Sequence, residues 1–282
     1  MRDNGLEQAI KAVGGVSALA RALGVAQPSV SAWTRIPAER VLAVESLTAV
    51  PRHVLRPDLY PQSGDDAAQD AVEQARGQLY LLLATLLQNV PQDATLSEIS
   101  RLPRGGEGAV GAAIAGLAEA AETTDAADAA REHFALFVGV GRAELVPYAS
   151  YYRTGFLYER PLVNVREDMK IIGVQRADGT GEPEDGIGFL CELMAGMALQ
   201  RFSVPESFER AFFLRHLAPW AEKFFNDLEK AEAAQFYRAV GRLGSVFIGL
   251  EREAFSLDAA SDTRGAPRHD TTPEGHHERQ AS

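Results

Sequence analysis

The 282-residue sequence predicts an all-α protein: a small N-terminal helix-turn-helix domain, a larger helical bundle and a disordered C-terminal tail. Three observations predict it. No segment sustains the apolar–polar alternation of a strand. Apolar residues recur three and four apart instead, as in Leu79, Leu82, Leu83, Leu86 and Leu87. Glycine and proline then fall where helices should end, at Gly14-Gly15, Gly24, Pro91, Pro103 and Gly105-Gly106. The expected division is a helix-turn-helix domain at 1–61, a linker at 62–69, a bundle at 70–255 and a tail at 256–282.

Leu6, Ile10 and Val13 mark the first helix, closed by Gly14-Gly15. Ser17 suits the N-cap of a helix over 18–23, and Gly24 its C-terminal stop. Gln27 and Pro28 open a third helix, from which Val30 and Trp33 face inward. This helix–glycine–helix order is a helix-turn-helix pattern, whose second helix enters the major groove by its first residues. Gln27, Ser29 and Ser31 carry hydrogen-bonding groups suited to base edges, and Arg21, Arg35 and Arg40 suit phosphates. If DNA is the target, paired half-sites imply a homodimer. A protein-docking role for the same unit stays open.

Gln62–Gln69 is small and polar, as a linker should be. Helices follow at 70–89, 95–102, 107–122 and 125–138, the last carrying His133, Phe134 and Phe137. Residues 139–155 form the longest expected connection and hold Tyr148, Tyr151 and Tyr152. These tyrosines either offer amphipathic surface to a peptide or anchor the loop on the bundle. A helix over 156–170 leads to a glycine-containing turn at 171–181. Pro183 is preset for a first helical position, so a helix is expected from there, with Glu182, Glu184 and Asp185 near the positive end of its dipole. The apolar run from Ile187 covers two faces and predicts burial among other helices. Helices at 208–217, 219–228 and 232–255 complete the bundle. The tail from Ser256 is polar, and its His269, His276 and His277 lack a structured set of metal ligands.

Net charge is −11, unevenly spread. Residues 1–61 hold seven Lys/Arg and five Asp/Glu, a net of +2, and residues 62–282 hold the other 21 and 34, a net of −13. The acidic larger part suits a basic partner, although ordinary solubility accounts for it as well. The single cysteine, Cys191, lies in an apolar helix and excludes an intrachain disulfide. The longest apolar run is too short for a membrane span and no signal region opens the chain, so a cytoplasmic protein without membrane insertion is expected. No dinucleotide fingerprint, phosphate loop or nucleophile elbow is present. Glu182 and Asp185, three apart, could form an acid/base pair, but no nucleophile or metal set accompanies them. Neither an enzyme nor a resident cofactor or metal is expected.

Two stretches carry resemblances. The segment EPEDGIGFLCELM at 182–194, with PYASYYRTGFLYERPLVNVREDM at 147–169, resembles the TorD/DmsD/NarJ chaperones of redox enzymes over roughly residues 74–255. Gly186 stands where that family has histidine, which leaves a histidine-dependent contact in doubt and the acids in place. SALARALGV, SVSAW, IPAERV and LRPDLYP resemble the YdaS-like branch of Cro-type helix-turn-helix proteins. The first resemblance implies a chaperone for the precursor of a molybdenum oxidoreductase, a formate dehydrogenase or a relative. It also implies that the precursor's twin-arginine leader meets Tyr148, Tyr151, Tyr152, Glu182, Pro183, Glu184 and Asp185. The leader's apolar stretch would lie in a groove between helices. The alternative is a transcription regulator that senses free leader and reports it to DNA through Gln27, Ser29, Ser31, Arg35 and Arg40.

Overall fold

A computed structural model describes residues 2–61, 64–175, 182–202 and 204–262, with the side chains of 64–67, 206 and 257–262 left out. Among the described residues the architecture is helical throughout, with one isolated antiparallel bridge, Tyr148 to Gly186. Buried apolar residues fall into two clusters, one drawn from residues 6–55 and one from 80–255.

The first cluster closes five short helices: α1 (Asn4–Ala12), α2 (Val16–Ala22), α3 (Gln27–Ser31), α4 (Val41–Thr48) and α5 (Arg52–Leu55). Asp3 caps α1, its Oδ1 accepting from the Leu6 N–H at 2.9 Å. The helix-turn-helix is present, but α2 starts at Val16 with Gly15 as its cap, not Ser17; Gly15 has φ 130, a conformation glycine supplies. Gly24 (φ 65) ends α2 with Val25 N–H bonding Ala20 O at 3.0 Å, the bond that turns the chain toward α3. Leu6, Leu19, Val30, Ile36, Val41, Val44 and Leu55 are the buried aliphatics that hold the unit together.

The second cluster belongs to α6 (Gly64–Gln88), α7 (Asp93–Ser100), α8 (Gly108–Glu122), α9 (Ala126–His133), α10 (Ala149–Thr154), α11 (Arg160–Ile172), α12 (Ile187–Ala198), α13 (Glu206–His216), α14 (Ala221–Lys230) and α15 (Phe236–Asp262). Two pairings organise it, α6 with α12 and α14 with α15; α8 and α9 pack on α15, and α13 touches α11, α12 and α15. The α6–α12 pair runs antiparallel. A Cβ on Gly77 would lie 2.5 Å from Leu199, and one on Gly188 would lie 2.6 Å from Gln88, so glycine is needed at both ends for this approach. Nearly all of α12 is buried, as its two-faced apolar pattern predicts. Cys191 is one of these core residues.

Several boundaries differ from expectation. The linker shortens, because helix is already present at Gly64; residues 62 and 63 lie outside the described residues. The helix after Asp125 turns π-helical over Phe134–Val138. The long connection contains α10, and α11 begins only at Arg160, with Pro161 in its first turn. α15 starts at Phe236, with carboxylates from elsewhere accepting from the N–H groups on either side of that start: Glu144 accepts from Glu232 and Ala233, and Glu132 from Gln235, Phe236 and Tyr237. At its other end α15 runs past Phe255, so 256–262 is helix; the rest of the expected tail, with its three histidines, lies outside the described residues.

One buried ion cluster ties three helices. Arg76 on α6 meets Glu251 on α15 at 2.6 and 2.8 Å, Glu209 on α13 at 2.9 Å, and its neighbour Glu73. Tyr80 donates to the same Glu251 at 3.0 Å. Removing Arg76 would leave buried carboxylates uncompensated.

Candidate functional site

The two segments that carry the chaperone resemblance meet in space. Tyr148 and Gly186 form the antiparallel bridge; Ala149 N–H bonds Asp185 O at 3.0 Å, and Ile187 N–H bonds Pro147 O at 2.9 Å. This contact corrects the expected helix start. Pro183 is not at a first helical position: residues 183–186 turn, Gly186 is extended (φ −67, ψ 141), and α12 opens at Ile187. Gly186 is the N-cap of α12: its carbonyl accepts from the Leu190 N–H at 3.0 Å, while the bonds from Ala149 to Asp185 and from Ile187 to Pro147 hold its flanking residues to the other segment.

The acids are redistributed accordingly. Asp185 is 0 % exposed, and its Oδ2 accepts from the Ser150 N–H at 2.7 Å. Ser150 is the second residue of α10, whose own N-cap, Tyr148, supplies no side-chain bond. Asp185 therefore caps α10 from across the bundle, a donor-satisfying role at the positive end of a different helix from the one expected. Asp185 Oδ1 and Ser150 Oγ are both buried without a hydrogen-bond partner among the described residues. Glu184 is 6 % exposed and meets the Arg166 guanidinium at 2.8 and 3.1 Å. Pro183 is buried, and of the four signature residues Glu182 alone is exposed.

The tyrosines divide as well. Tyr152 is an anchor: its ring packs on Trp220 and Phe224, its hydroxyl bonds Asp227 at 3.1 Å, and Lys223 lies over its face. Burial, and then the Asp227 carboxylate, push its phenol well above the usual range. Tyr151 accepts from Arg142 at 3.1 Å. Tyr148 is half-buried, and its phenol is pushed up to about 12 by burial first and then by the fields of Glu182, Asp185 and Tyr158. Tyr148 also stands against the acidic turn through its bridge to Gly186.

Tyr158 was not anticipated. Phe156, Leu157 and Tyr158 form an apolar strap between α10 and α11, with Phe156 70 % and Tyr158 66 % exposed and Tyr158 at φ 62. Sequence reasoning placed this triplet in a helix, where a helical face would have buried part of it. The signal that could have found it is Gly155 followed by five residues before Pro161, a helix stop and a helix start.

Beside this surface sits a buried pair. His216 Nε2 lies 2.7 Å from Asp168 Oδ2, and Arg215 reaches both oxygens of Asp168 at 3.1 Å. Burial holds the His216 imidazole below its usual range despite the carboxylate. Trp220 donates to the His216 carbonyl at 2.6 Å, so the arrangement fixes the end of α13. Among the described residues no group of His, Cys, Asp and Glu could hold a metal ion, and no helix is long and apolar enough to cross a membrane.

In the small unit, Gln27, Ser29 and Ser31 are exposed on α3, with Gln27 donating to Ser31 Oγ at 2.9 Å. Arg35 is exposed and lies 3.4 Å from Asp58; Arg40 is half-buried at the start of α4. The unforeseen residue is Arg56, buried, which donates to Ile36 O at 2.6 Å and grips Asp58 at 2.7 and 2.8 Å.

Comparison with known proteins follows this division. Residues 106–226 match the family described as nitrate reductase delta subunit, and residues 6–63 match the one described as bacterial toxin YdaS. The chaperone protein TorD of Vibrio cholerae serotype O1 is 28% identical over 126 residues, 42% of this chain and 57% of that protein. TorD of Shewanella loihica is 24% identical over 132 residues, 44% of this chain and 61% of that protein. The chain thus spans less than two thirds of the length of these relatives. A crystal structure of a candidate redox enzyme maturation protein from Archaeoglobus fulgidus aligns with a TM-score of 0.43 at 21% identity, covering 62% of this chain and 93% of that one. The chain joins a YdaS-like helix-turn-helix unit to a helical bundle similar to nitrate reductase delta subunits and TorD chaperones, and the matched bundle residues contain both segments of the site.

Proposed function

We propose that this protein is a cytoplasmic maturation chaperone, not an enzyme, which holds the twin-arginine leader of a molybdenum redox-enzyme precursor. The formate dehydrogenase type is the client the resemblance favours. The observation that carries this reading is the similarity to TorD chaperones, together with an exposed apolar strap, Phe156–Tyr158, and an acidic turn with Glu182 exposed, both inside residues 106–226. A leader combines an apolar stretch with two arginines. The strap offers contact area to the first, and Glu182 a counter-charge to the second. Arg166 on Glu184 supports the chemistry, since this turn already accepts a guanidinium from within the chain. Tyr148 and Tyr151 flank the same surface, whereas Tyr152 and Asp185 act by holding it in place.

The test is calorimetric titration of the full chain with synthetic twin-arginine leaders of redox enzymes from the same genome. One leader is expected to bind saturably. Phe156→Ala should weaken it about five- to tenfold as a lost apolar anchor, and Glu182→Gln about two- to fivefold as a lost exposed charge contact. Binding by no leader, or equal binding by both variants, overturns the reading. We further propose that residues 1–61 form a separate domain that binds DNA as a dimer, which the exposed polar face of α3 supports.

A further inference from the structure

We propose that α12 mechanically couples the turn at 182–187 to the helix-turn-helix unit, so that a peptide held at one end changes how residues 2–61 sit at the other. The inference rests on the leader-binding reading for its trigger, but its geometry stands apart from it. At its start, α12 is tied to the site by the Ile187–Pro147 bond and the Gly186–Tyr148 bridge. At its end, roughly 18 Å away for 12 residues, Ala198, Leu199 and Gln200 line a cavity of about 230 Å³. The opposite wall belongs to the small unit, with Val50, His53 and Val54 among its residues. His53 Nε2 lies 3.6 Å from Asp70 Oδ2 on α6 across this seam, with the His53 side chain 14% exposed.

The two sides of that seam differ in stiffness. α12 has no slack. Gly188 lies against Gln88, Leu199 over Gly77, and Phe202 so close to Gly196 that a Cβ there would sit 2.1 Å from its ring. Close-packed interiors transmit displacement instead of absorbing it. The helix is closed by Arg201 N–H to Gly196 O at 2.8 Å and Gln200 N–H to Met197 O at 2.9 Å, with Gln200 in the left-handed region at φ 53. That closure holds Gln200 at the cavity wall. The seam itself is a half-open space crossed by one long polar contact, whose Asp70 is half exposed, so it can tighten or loosen where the helix cannot. A ligand at 182–187 that prefers one position of α12 therefore shifts the seam, and by reciprocity the seam shifts the ligand's affinity.

Hydrogen exchange of the full chain tests this from both ends. Gly186→Ala is the push at the site, because its Cβ would meet the Tyr148 ring at 3.3 Å and displace it slightly. Asp70→Asn is the push at the seam. The readouts are the Val54 and Leu55 amides, both bonded to Pro51 O at 2.9 and 3.0 Å, and the Ser150 and Ile187 amides at the site. Gly186→Ala is expected to change exchange at 54–55, and Asp70→Asn at 150 and 187, each about fivefold, the low end of typical coupling. A saturating leader should do what Gly186→Ala does, and its Kd should shift in Asp70→Asn by the same factor. Exchange that responds only at the mutated end overturns the coupling. If no leader binds, the chaperone reading fails while the two variants still decide the coupling. Should Gly186→Ala not fold, as far-UV circular dichroism would show, the Asp70→Asn response at Ile187 decides alone.

Discussion

The helix-turn-helix unit and the bundle treat their polar residues in opposite ways. In the small unit Gln27, Ser29 and Ser31 stand on the surface of α3, while the unit is held by aliphatic side chains from Leu6 to Leu55 and one internal clasp, Arg56 on Asp58. In the bundle the acids that look most like a binding motif are drawn inside: Asp185 caps α10, Glu184 takes Arg166, and Asp168 takes Arg215 and His216. The reason is size. Five short helices enclose little volume, and the one guanidinium they bury, Arg56, keeps its partner Asp58 half exposed. Ten helices of larger reach leave many helix ends inside the fold, and each needs acceptors or donors supplied from elsewhere. A polar motif in the small unit is thus read at the surface, whereas in the bundle it has to be asked first what it holds together.

That difference can be broken or sharpened by substitution. The largest effect is expected at Glu132, whose carboxylate accepts from three backbone N–H groups at the start of α15. Glu132→Ala should cost about 3–5 kcal/mol, since two of those donors belong to buried residues. Urea unfolding followed at Trp220, the bundle's tryptophan, reads it, and Trp33 reports separately on the small unit. A loss below about 1 kcal/mol would mean that the trans-cap is dispensable.

Asp185→Ala comes next, at about 2–3 kcal/mol for one buried charged acceptor. Asp185→Asn should cost less, because an amide oxygen can still accept from Ser150 N–H. If the alanine variant kept full stability and lost only leader binding, Asp185 would be a contact residue and the comparison with the small unit would collapse. At the small end, Ser29→Ala on exposed α3 should change stability by less than about 0.5 kcal/mol. If α3 reads base edges, the same variant should weaken binding to its best DNA sequence by about 1–3 kcal/mol while leaving non-specific binding intact. An electrophoretic shift against selected and scrambled duplexes separates the two, and equal loss on both would move Ser29 from base contact to fold.

How much was legible follows the same line. The all-helical class, the two-part order and the helix-turn-helix spacing were readable because they rest on local periodicity and on glycine and proline, whose effects act within a turn or two of chain. The site was legible as two segments, 147–169 and 182–194, and that they belong together came from a resemblance. What each residue does there was not legible. Pro183 looks like a helix opener from its own neighbours, but the segment at 147–149 binds the backbone of Asp185 and Ile187, and the helix opens only at Ile187. Phe156 to Tyr158 read as helix, yet Gly155 ends α10 in the left-handed region and leaves the strap outside.

The sequence by itself determined most of the elements: which stretches become helices and which faces they bury. Those outcomes depend on interactions between residues a few positions apart. Only the tertiary structure decided which acids stay available to a partner. Asp185 lies 35 positions from the N–H it caps, and Glu132 more than 100 from those it holds. No local pattern encodes a donor that distant, and a carboxylate's role depends on which donor reaches it first.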